Sequence, residues 1–499
     1  MDIFSTTITA AGLVLQFVGA CSEFSQDARS LKARLEWDLR ALKAIRDYFQ
    51  DRRRNNANQN LPADDAVLLE STAEYLESLV GNVQKSFRKI QRKGLLNTTI
   101  TRTMWVFRRA EIKEMEKEVR DWTERFGVRV LALPDELRTA ISIAGERSNK
   151  AQIPAVVRSR DRLQDFLALS SSAKHVRTKE MLLNDPNEVI FEIEAVGDVS
   201  NMPLDYGAGQ VIFSSRAVSE KERRPGDFEA LISEMGELAA ALSCLDPAAD
   251  VRLLRTTYYF YYEKCEQFLF AHVPPYEVDS MITLEAMIDD GPYPEPNVSL
   301  SQRLRIAYKL AEAVLFLHTA GFLHKNITSS SVVLLQRAFP ESGEVAPYGV
   351  FDDAYLMGFD LIREAEASTY KTGTSRRCND HSRSMWDFDI YQHPDRLQGE
   401  GSPRYIKTYD VYSLGVLLLE IGLWEPLRKV VPEPDMQGGS LSWALELPCT
   451  TPVLGPRVGE KYRRMIDWCL SLTGDRIVKD TEFVQQVLDP LEAMMHVLA

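Results

Sequence analysis

The segment whose residue types come closest to a reactive site is residues 313–335, which read AVLFLHTAGFLHKNITSSSVVLL. It places His324, Lys325 and Asn326 directly after an apolar run, and Ser331 follows five residues later. An amide has no basic lone pair near neutral pH, so Asn326 can orient a hydroxyl group but cannot accept its proton. The segment therefore has the layout of a catalytic loop without a base at its third polar position.

This segment resembles the catalytic loop of protein kinases, where the pattern H-R-D-L-x-x-x-N supplies a base and a metal ligand. The resemblance implies that Asn326 replaces the catalytic Asp and that Ser331 replaces the metal-binding Asn. Residues 409–420, YDVYSLGVLLLE, are similar to the kinase D-V-W-S-x-G-V-x-L-x-E helix. Asp410 is then expected to cap this helix at its N-terminus and to tie it to the loop.

The kinase metal site is also replaced. Residues 356–360, LMGFD, stand where the D-F-G segment is expected, so Gly358 takes the place of the magnesium-binding Asp and is followed by Phe359 and Asp360. With the base and both metal ligands absent, we predict a catalytically inactive pseudokinase that holds no metal. The alternative is a serine/threonine-type kinase with residual ATP binding or phosphotransfer.

Nucleotide binding has only weak candidates. Residues 211–216 stand where a kinase carries its catalytic Lys, but the nearest cation is Arg216, a poor geometric substitute. Glu234, or else Glu237, is the expected acidic partner on the following helix. The segment His272–Pro275 offers an edge for adenine, yet no glycine pattern suited to phosphates precedes the strand. We therefore expect no cofactor, with ATP binding left open.

Apolar periodicity indicates two kinds of region. Residues 1–150 nearly lack Pro and repeat apolar residues at helical spacing, as in Leu31, Leu35, Leu39, Leu42 and Ile45. Further helices are expected near 64–94, 105–127 and 151–170. From about residue 186 strands are expected, at 189–194, 211–213, 254–262 and 268–273, and helices dominate after residue 300.

The predicted fold is therefore multidomain. An all-α N-terminal helical bundle is followed by an α+β protein-kinase-like fold with a β-rich small lobe and an α-helical large lobe. The expected boundaries are 1–150 for the bundle, 151–185 for a brace helix and linker, 186–275 for the small lobe and 276–499 for the large lobe.

The charge distribution limits the partners. The net charge of −13 and the pI of about 5.3 argue against a general nucleic-acid binder. Residues 1–150 are slightly basic, with 25 Lys and Arg against 21 Asp and Glu. The six cysteines form no C-x-x-C pair, which argues against a zinc ribbon. The start Met1-Asp2 lacks a basic signal region, so a cytoplasmic protein is expected.

Two N-terminal features suit a membrane partner. Residues 3–22 carry no charge, so they form a membrane span, a helix buried in the bundle, or a helix that is buried in one state and inserted in another. Between Glu77 and Glu111 there is no acidic residue, and the basic residues there form either a contact for anionic lipids or an ordinary solvated face. The candidate membrane contacts are Lys85, Arg88, Lys89, Arg92 and Lys93.

The uncharged first helix and the Arg/Leu/Trp-rich second helix resemble the HeLo-type helical domain of fungal cell-death proteins. The order of bundle, brace and pseudokinase is similar to the mixed-lineage kinase domain-like family of necroptosis executors. This resemblance implies a bundle that permeabilises membranes and a pseudokinase that restrains it. It also implies an upstream kinase or receptor, homo-oligomers on activation, and movement to the plasma membrane. The alternative is a signalling scaffold without membrane activity.

The segment after Asp360 is rich in hydroxyl groups and is followed by Arg376 and Arg377. A phosphate there would pair with the arginines and order the loop, whereas the simpler interpretation is a solvated polar loop. The candidate phosphorylation sites are Ser368, Thr369, Thr372, Thr374 and Ser375.

Overall fold

The computed structural model describes residues 2–23, 25–55, 109–146, 153–197, 203–207, 209–218, 222–290, 298–338, 353–358, 389–397, 403–431, 447 and 451–498. The chain divides into two compact units, Met1–Arg158 and Ser159–Ala499. Where it is described, the first unit is helical. The second is a helix-rich domain that contains two small antiparallel sheets.

The described helices of the first unit are α1 (Asp2–Cys21), α2 (Gln26–Asn55), α3 (Arg109–Leu131) and α4 (Asp135–Glu146), and α5 (Ala155–Ala168) crosses the boundary between the units. The apolar series predicted for α2, from Leu31 to Ile45, is buried throughout. The rings of Trp37 and Trp122 both contact the ring of Phe126, with centroids 6.4 and 5.3 Å away. The helix predicted near 64–94 lies outside the described residues.

Helix α1, which is uncharged after Asp2, packs on α2. Its buried side chains recur at helical spacing: Ala11, Val14, Val18 and Cys21 are at most 1% exposed. In this structure α1 is therefore a buried helix of the first unit, which agrees with one of the three interpretations of its sequence. Among the described residues, none of the helices combines the length and the apolarity needed to cross a membrane.

One carboxyl group in this unit is buried without a hydrogen-bond partner. Asp38 of α2 is 0% exposed, and both of its carboxyl oxygens are unpaired. Burial raises the pKa of Asp38 well above its ordinary value, although Arg34 opposes this shift. Asp38 is therefore held in its neutral, protonated form at a pH where an exposed Asp is ionised.

The second unit continues with α6 (Ser171–Met181), α7 (Asn187–Val196), β1 (Leu204–Tyr206), β2 (Gly209–Ala217), α8 (Pro225–Ser243), β3 (Arg255–Tyr262), β4 (Gln267–Val273), β5 (Val278–Thr283), α9 (Leu284–Asp290), α10 (Leu300–Ala320), β6 (Val332–Arg337) and β7 (Asp353–Leu356). It ends with α11 (Lys407–Leu423), α12 (Leu427–Val430), α13 (Leu454–Val458), α14 (Glu460–Leu470), α15 (Asp480–Phe483), a π-helical turn (Val484–Leu488) and α16 (Asp489–Leu498).

The first sheet has the order β1-β2-β4-β3 and is antiparallel throughout. Helix α8 packs on one face, where Phe228 contacts the rings of Tyr261 and Phe268. Helix α7 packs on the other face, where Val189 and Ile193 join the cluster around Phe260 and Leu269. The strands predicted at 211–213, 254–262 and 268–273 are confirmed.

The strand predicted at 189–194 is wrong, because these residues lie in α7. Val189 and Ile193 are four residues apart, so one helix face buries both of them. Phe191, between them, is 69% exposed. Gly197, with φ 82°, ends the helix in a conformation that favours glycine.

The second sheet has the order β5-β6-β7, also antiparallel. The loop that contains His324, Lys325 and Asn326 lies between α10 and β6, which begins at Val332. The next strand, β7, ends two residues before Gly358. Helix α11 is buried along nearly its whole length and packs beside α10 and α14. The loop is thus held between a buried helical layer and the sheet.

Candidate functional site

The loop is organised by a buried carboxylate on α11. Asp410 is 0% exposed and accepts hydrogen bonds from the backbone N–H groups of His324 and Lys325, at 2.8 and 2.9 Å. The imidazole Nε2 of His318 and the hydroxyl of Tyr405 also contact it, at 3.1 and 2.9 Å. Asp410 therefore ties the helix to the loop, as its motif predicts.

The expected N-cap role of Asp410 is wrong. The N-cap of α11 is Ile406, and Asp410 lies one turn inside the helix. Burial alone would raise the pKa of Asp410, but the hydrogen bond and charge of His318, with the nearby His324 and the N–H of Lys325, outweigh burial and lower it. The carboxylate is thus ionised, and its hydrogen bonds hold the loop in place.

His324 is a structural imidazole in this arrangement. Its Nδ1 accepts from the N–H of Asn326 at 3.3 Å, so its Nε2 carries the proton and donates to the carbonyl oxygen of Met357 at 3.1 Å. Burial lowers the pKa of His324 to about 4, against the opposing charge of Asp410. A neutral ring with both nitrogens engaged inside the protein is not placed to take a substrate proton.

The structure brings three of the replaced kinase positions together. The side-chain amide of Asn326 donates to the carbonyl oxygen of Gly358 at 2.9 Å. A Cβ atom on Gly358 would lie 3.2 Å from Cβ of Ser331 and 4.0 Å from Nδ2 of Asn326. These three positions therefore lie close together, and none of the three residues carries a carboxylate. Phe359 and Asp360 lie outside the described residues.

The hydroxyl of Ser331 is engaged locally. It donates to the carbonyl oxygen of Thr328 at 2.8 Å and accepts from the N–H of Thr328 at 3.0 Å. Thr328 in turn caps the short 3₁₀ turn through the N–H of Ser331, a reciprocal capping pair. Within the described part of the chain, no group of three or more His, Cys, Asp or Glu residues is placed to hold a metal ion.

Lys325 lies in the left-handed region with φ 65°, which is uncommon for a residue other than glycine. Its ammonium group lies 5.6 Å from the centre of the Tyr405 ring, and the residue is only 8% exposed. The charge of Lys325 is therefore stabilised by an aromatic face. Asp410 stabilises the strained backbone through the N–H of Lys325.

Two of the nucleotide-binding candidates lie on different elements, Arg216 near the end of β2 and Glu234 on α8. Arg216 is 2% exposed and pairs with Glu222 at 2.6 Å, a residue that the sequence pattern did not indicate. Glu234 is half-buried on α8. Arg216 is thus already neutralised at the end of β2.

His272 belongs to the interior of the first sheet. Its Nε2 lies 2.7 Å from the hydroxyl of Ser214, and its Nδ1 lies 3.1 Å from the hydroxyl of Thr256. Burial lowers the pKa of His272 to about 4, so the ring is neutral. The imidazole of His272, on β4, therefore connects β2 and β3, the strands on either side of β4.

The remaining predicted site residues lie outside the described residues. This holds for the membrane candidates Lys85, Arg88, Lys89, Arg92 and Lys93, and for the phosphorylation candidates Ser368, Thr369, Thr372, Thr374 and Ser375. Besides Glu222, the residues that the sequence pattern did not indicate include Thr328 and Tyr405. Thr328 has a recognisable signal, a Thr three residues before Ser331, whereas nothing local marks Tyr405 as a partner of Asp410.

Comparisons with known proteins point to protein kinases. No protein-family model matches the chain. The chain is 27% identical over 143 residues to a protein kinase and PP2C-like domain-containing protein of Arabidopsis thaliana, which covers 28% of this chain and 18% of that protein. It is 21% identical over 210 residues to dual specificity testis-specific protein kinase 1 of Mus musculus, which covers 42% of this chain and 29% of that protein.

The counterpart from Rattus norvegicus gives 22% identity over 212 residues, again with 42% of this chain and 29% of that protein. The chain thus spans less than a third of the length of each of these curated relatives. Together with the loop geometry, these similarities indicate that the chain contains a protein-kinase-like domain.

Proposed function

We propose that the kinase-like region, residues 186–499, is a pseudokinase that has kept the kinase architecture without phosphotransfer. The observation that carries this proposal is the meeting of Asn326, Ser331 and Gly358 at one point, without a carboxylate among them. In the chain, β2 is followed by α8 and then by the antiparallel strands β3 and β4, and the buried helices α10 and α11 come later. This order further supports a kinase-like fold.

The expected loss of rate is large. General-base assistance contributes about 10²–10⁴-fold, and preorganised charge stabilisation contributes about 10²–10³-fold for a single donor. Asn326 removes the base, while Ser331 and Gly358 remove the expected metal ligands. Arg216, paired with Glu222, does not offer the missing Lys. These losses act together, so useful turnover is not expected.

We expect the full chain to transfer no phosphate from ATP with Mg²⁺ or Mn²⁺ to generic protein substrates or to itself. The assay is transfer of labelled γ-phosphate, with Asn326→Ala as the matched variant because it removes the only polar side chain at the base position. Both proteins should give the same background. Activity in the wild type that disappears in Asn326→Ala would show that the site is catalytic.

We further propose that the N-terminal helical unit is a membrane-directed cell-death effector and that the pseudokinase domain regulates it. The support is the family resemblance of residues 1–150 and the basic cluster at residues 85–93. In this proposal the inactive protein is cytoplasmic, and an upstream kinase or receptor acts on it, with phosphorylation in the 368–375 segment as a candidate signal. The activated protein forms homo-oligomers on anionic lipids of the plasma membrane.

We expect the full chain to bind phosphatidylserine vesicles in a salt-dependent way. The double variant Lys89→Gln and Lys93→Gln should weaken binding by about 30-fold, because each Lys near an anionic leaflet contributes roughly 1 kcal/mol. The measurement is vesicle co-sedimentation at low and high salt, since about 1 M salt shortens the Debye length to about 3 Å.

The control for this experiment is Lys113→Gln with Lys117→Gln. These exposed lysines of α3 have the same spacing and the same charge change. A membrane contact at 85–93 predicts that the control binds like the wild type. Equal loss in both double variants would indicate a general charge effect, and no vesicle binding at all would favour the scaffold function.

A further inference from the structure

A side-chain amide joins the two sheets of the second unit. Nε2 of Gln210, on β2, donates to the carbonyl oxygen of Val278 at 2.9 Å, and the N–H of Val278 donates to Oε1 of Gln210 at 2.7 Å. Val278 is the first residue of β5, in the other sheet, and is 2% exposed. A carboxamide presents one donor beside one acceptor, so it pairs with a peptide group as a neighbouring strand would.

Two residues of the connecting segment between the sheets cannot donate a backbone hydrogen bond. Pro274 and Pro275 have no backbone N–H, so they cannot donate to a base edge. Val273 lies in the ladder opposite Arg255. The adenine edge that the sequence predicts at His272–Pro275 therefore lacks donors at two of its four positions. Val278 is where this segment presents a donor and an acceptor side by side.

The space between the sheets behind Gln210 is filled by apolar side chains. Ile212 and Leu254, from the side of the first sheet, pack in one buried cluster with side chains of the second sheet. The members from the second sheet and the segment after it are Val278, Met281, Val333, Leu335, Tyr355 and Met357. A planar base entering between the sheets would have to displace these contacts.

An ionic group around the buried Asp353 also connects the two sheets. The carboxylate of Asp353 on β7 pairs with Arg252 at 2.5 Å and accepts from the hydroxyl of Tyr276 at 2.8 Å. Arg337 of β6 also reaches Asp353, at 3.1 Å, and stacks over the Tyr276 ring at 3.9 Å. The carbonyl oxygen of Arg252 accepts from the N–H of Leu356 at 2.9 Å, so the segment before β3 is bound to β7.

We propose that the side chain of Gln210 takes the place that an adenine-type base would need at the backbone N–H and carbonyl oxygen of Val278. Together with the Asp353 group, Gln210 closes the cleft between the sheets. The inference rests on the proposed kinase-like function, because it assigns this cleft as the place of a nucleotide. The amide of Gln210 matches a base that carries an amino donor next to a ring-nitrogen acceptor. In this structure the side chain of Gln210 therefore fills the cleft, and adenine nucleotides are excluded.

The test is amide hydrogen exchange of the full-length protein at Val278, with adenosine as the probe. Removing the carboxamide in Gln210→Ala should speed exchange of the Val278 N–H by about tenfold, the equivalent of one hydrogen bond. The matched control is Gln336→Ala on β6, whose side chain bonds only the hydroxyl of Ser280 among these groups and should leave Val278 unchanged. Millimolar adenosine should not alter exchange at Val278 in the wild type.

Gln210→Glu gives a second variant of nearly the same shape. It keeps an acceptor for the N–H of Val278 but loses the donor to its carbonyl oxygen, so its exchange should lie between wild type and Gln210→Ala. Equal exchange in all three proteins would overturn the proposal, and so would slowing of Val278 exchange by adenosine in the wild type. The phosphotransfer assay judges the proposed function separately, because exchange at Val278 reports only on what occupies this edge.

Discussion

Asp410→Ala should lower the free energy of unfolding of the second unit by about 3–5 kcal/mol, because it leaves several buried donors without an acceptor. The two loop N–H groups, the Tyr405 hydroxyl and the His318 imidazole all lose the same partner. Since the chain has two units, global unfolding is not a two-state process, and the measurement is exchange of the His324 and Lys325 amides. Their protection should fall sharply in the variant.

The control for Asp410 is Asp480→Ala, which breaks the partly exposed pair with Lys407 at 2.8 Å. Exposed pairs contribute about 0–1 kcal/mol, so this variant should be near the wild type. The pKa of Asp410 is lowered in the folded state, so its contribution is complete above the unfolded Asp pKa of about 4 and is lost as pH falls further. Equal effects of both variants at pH 7 would refute the central role of Asp410.

Gly236→Ala should destabilise the contact between α6 and α8 by about 1–3 kcal/mol, although Ala favours helices over Gly. A Cβ atom at residue 236 would lie 2.1 Å from Cγ2 of Thr178 on α6 and 2.7 Å from the hydroxyl of Tyr259. Real Cβ atoms do not approach so closely, so the side chains of Thr178 and Tyr259 must shift. Thermal melting and protease cleavage within 171–181 are the measurements.

Two further variants isolate the cause of the Gly236 effect. Gly226→Ala lies on the same helix, where a Cβ meets nothing within 4 Å, and should be neutral or slightly stabilising. Thr178→Ser removes the clashing methyl group and keeps the hydroxyl that donates to Lys174. It should therefore restore much of the stability of Gly236→Ala. A Gly236→Ala protein as stable as Gly226→Ala would contradict the packing argument.

Periodicity was informative where burial repeats along one element. The series from Leu31 to Ile45 and the strands around Tyr259 and Phe270 follow from local patterns, because one face of each element is buried. The pattern failed at residues 189–194, where apolar residues are too dense to distinguish a strand from a helix. It also failed at Asp410, since a motif does not state on which turn of its helix the carboxylate lies.

For the candidate site, the sequence indicated positions but not the contacts between distant segments. Motif spacing singled out Asn326, Ser331 and Gly358, and the fold places these three residues close together. The contacts that join the two sheets connect chain segments that are far apart in sequence: Gln210 bonds Val278, 68 positions away, and Tyr276 bonds Asp353, 77 positions away. No local propensity encodes such pairs, because they arise from how the two sheets meet.

The buried carboxyl group of Asp38 makes the stability of the helical unit depend on pH. Because its pKa is raised in the folded state, folding takes up a proton, and the resulting stability is fully present below the unfolded Asp pKa and is lost as pH rises through the folded pKa. Any opening that admits water to Asp38 must release this proton. The contribution of Asp38 to the stability of the helical unit is therefore largest at acid pH and becomes smaller as the pH rises.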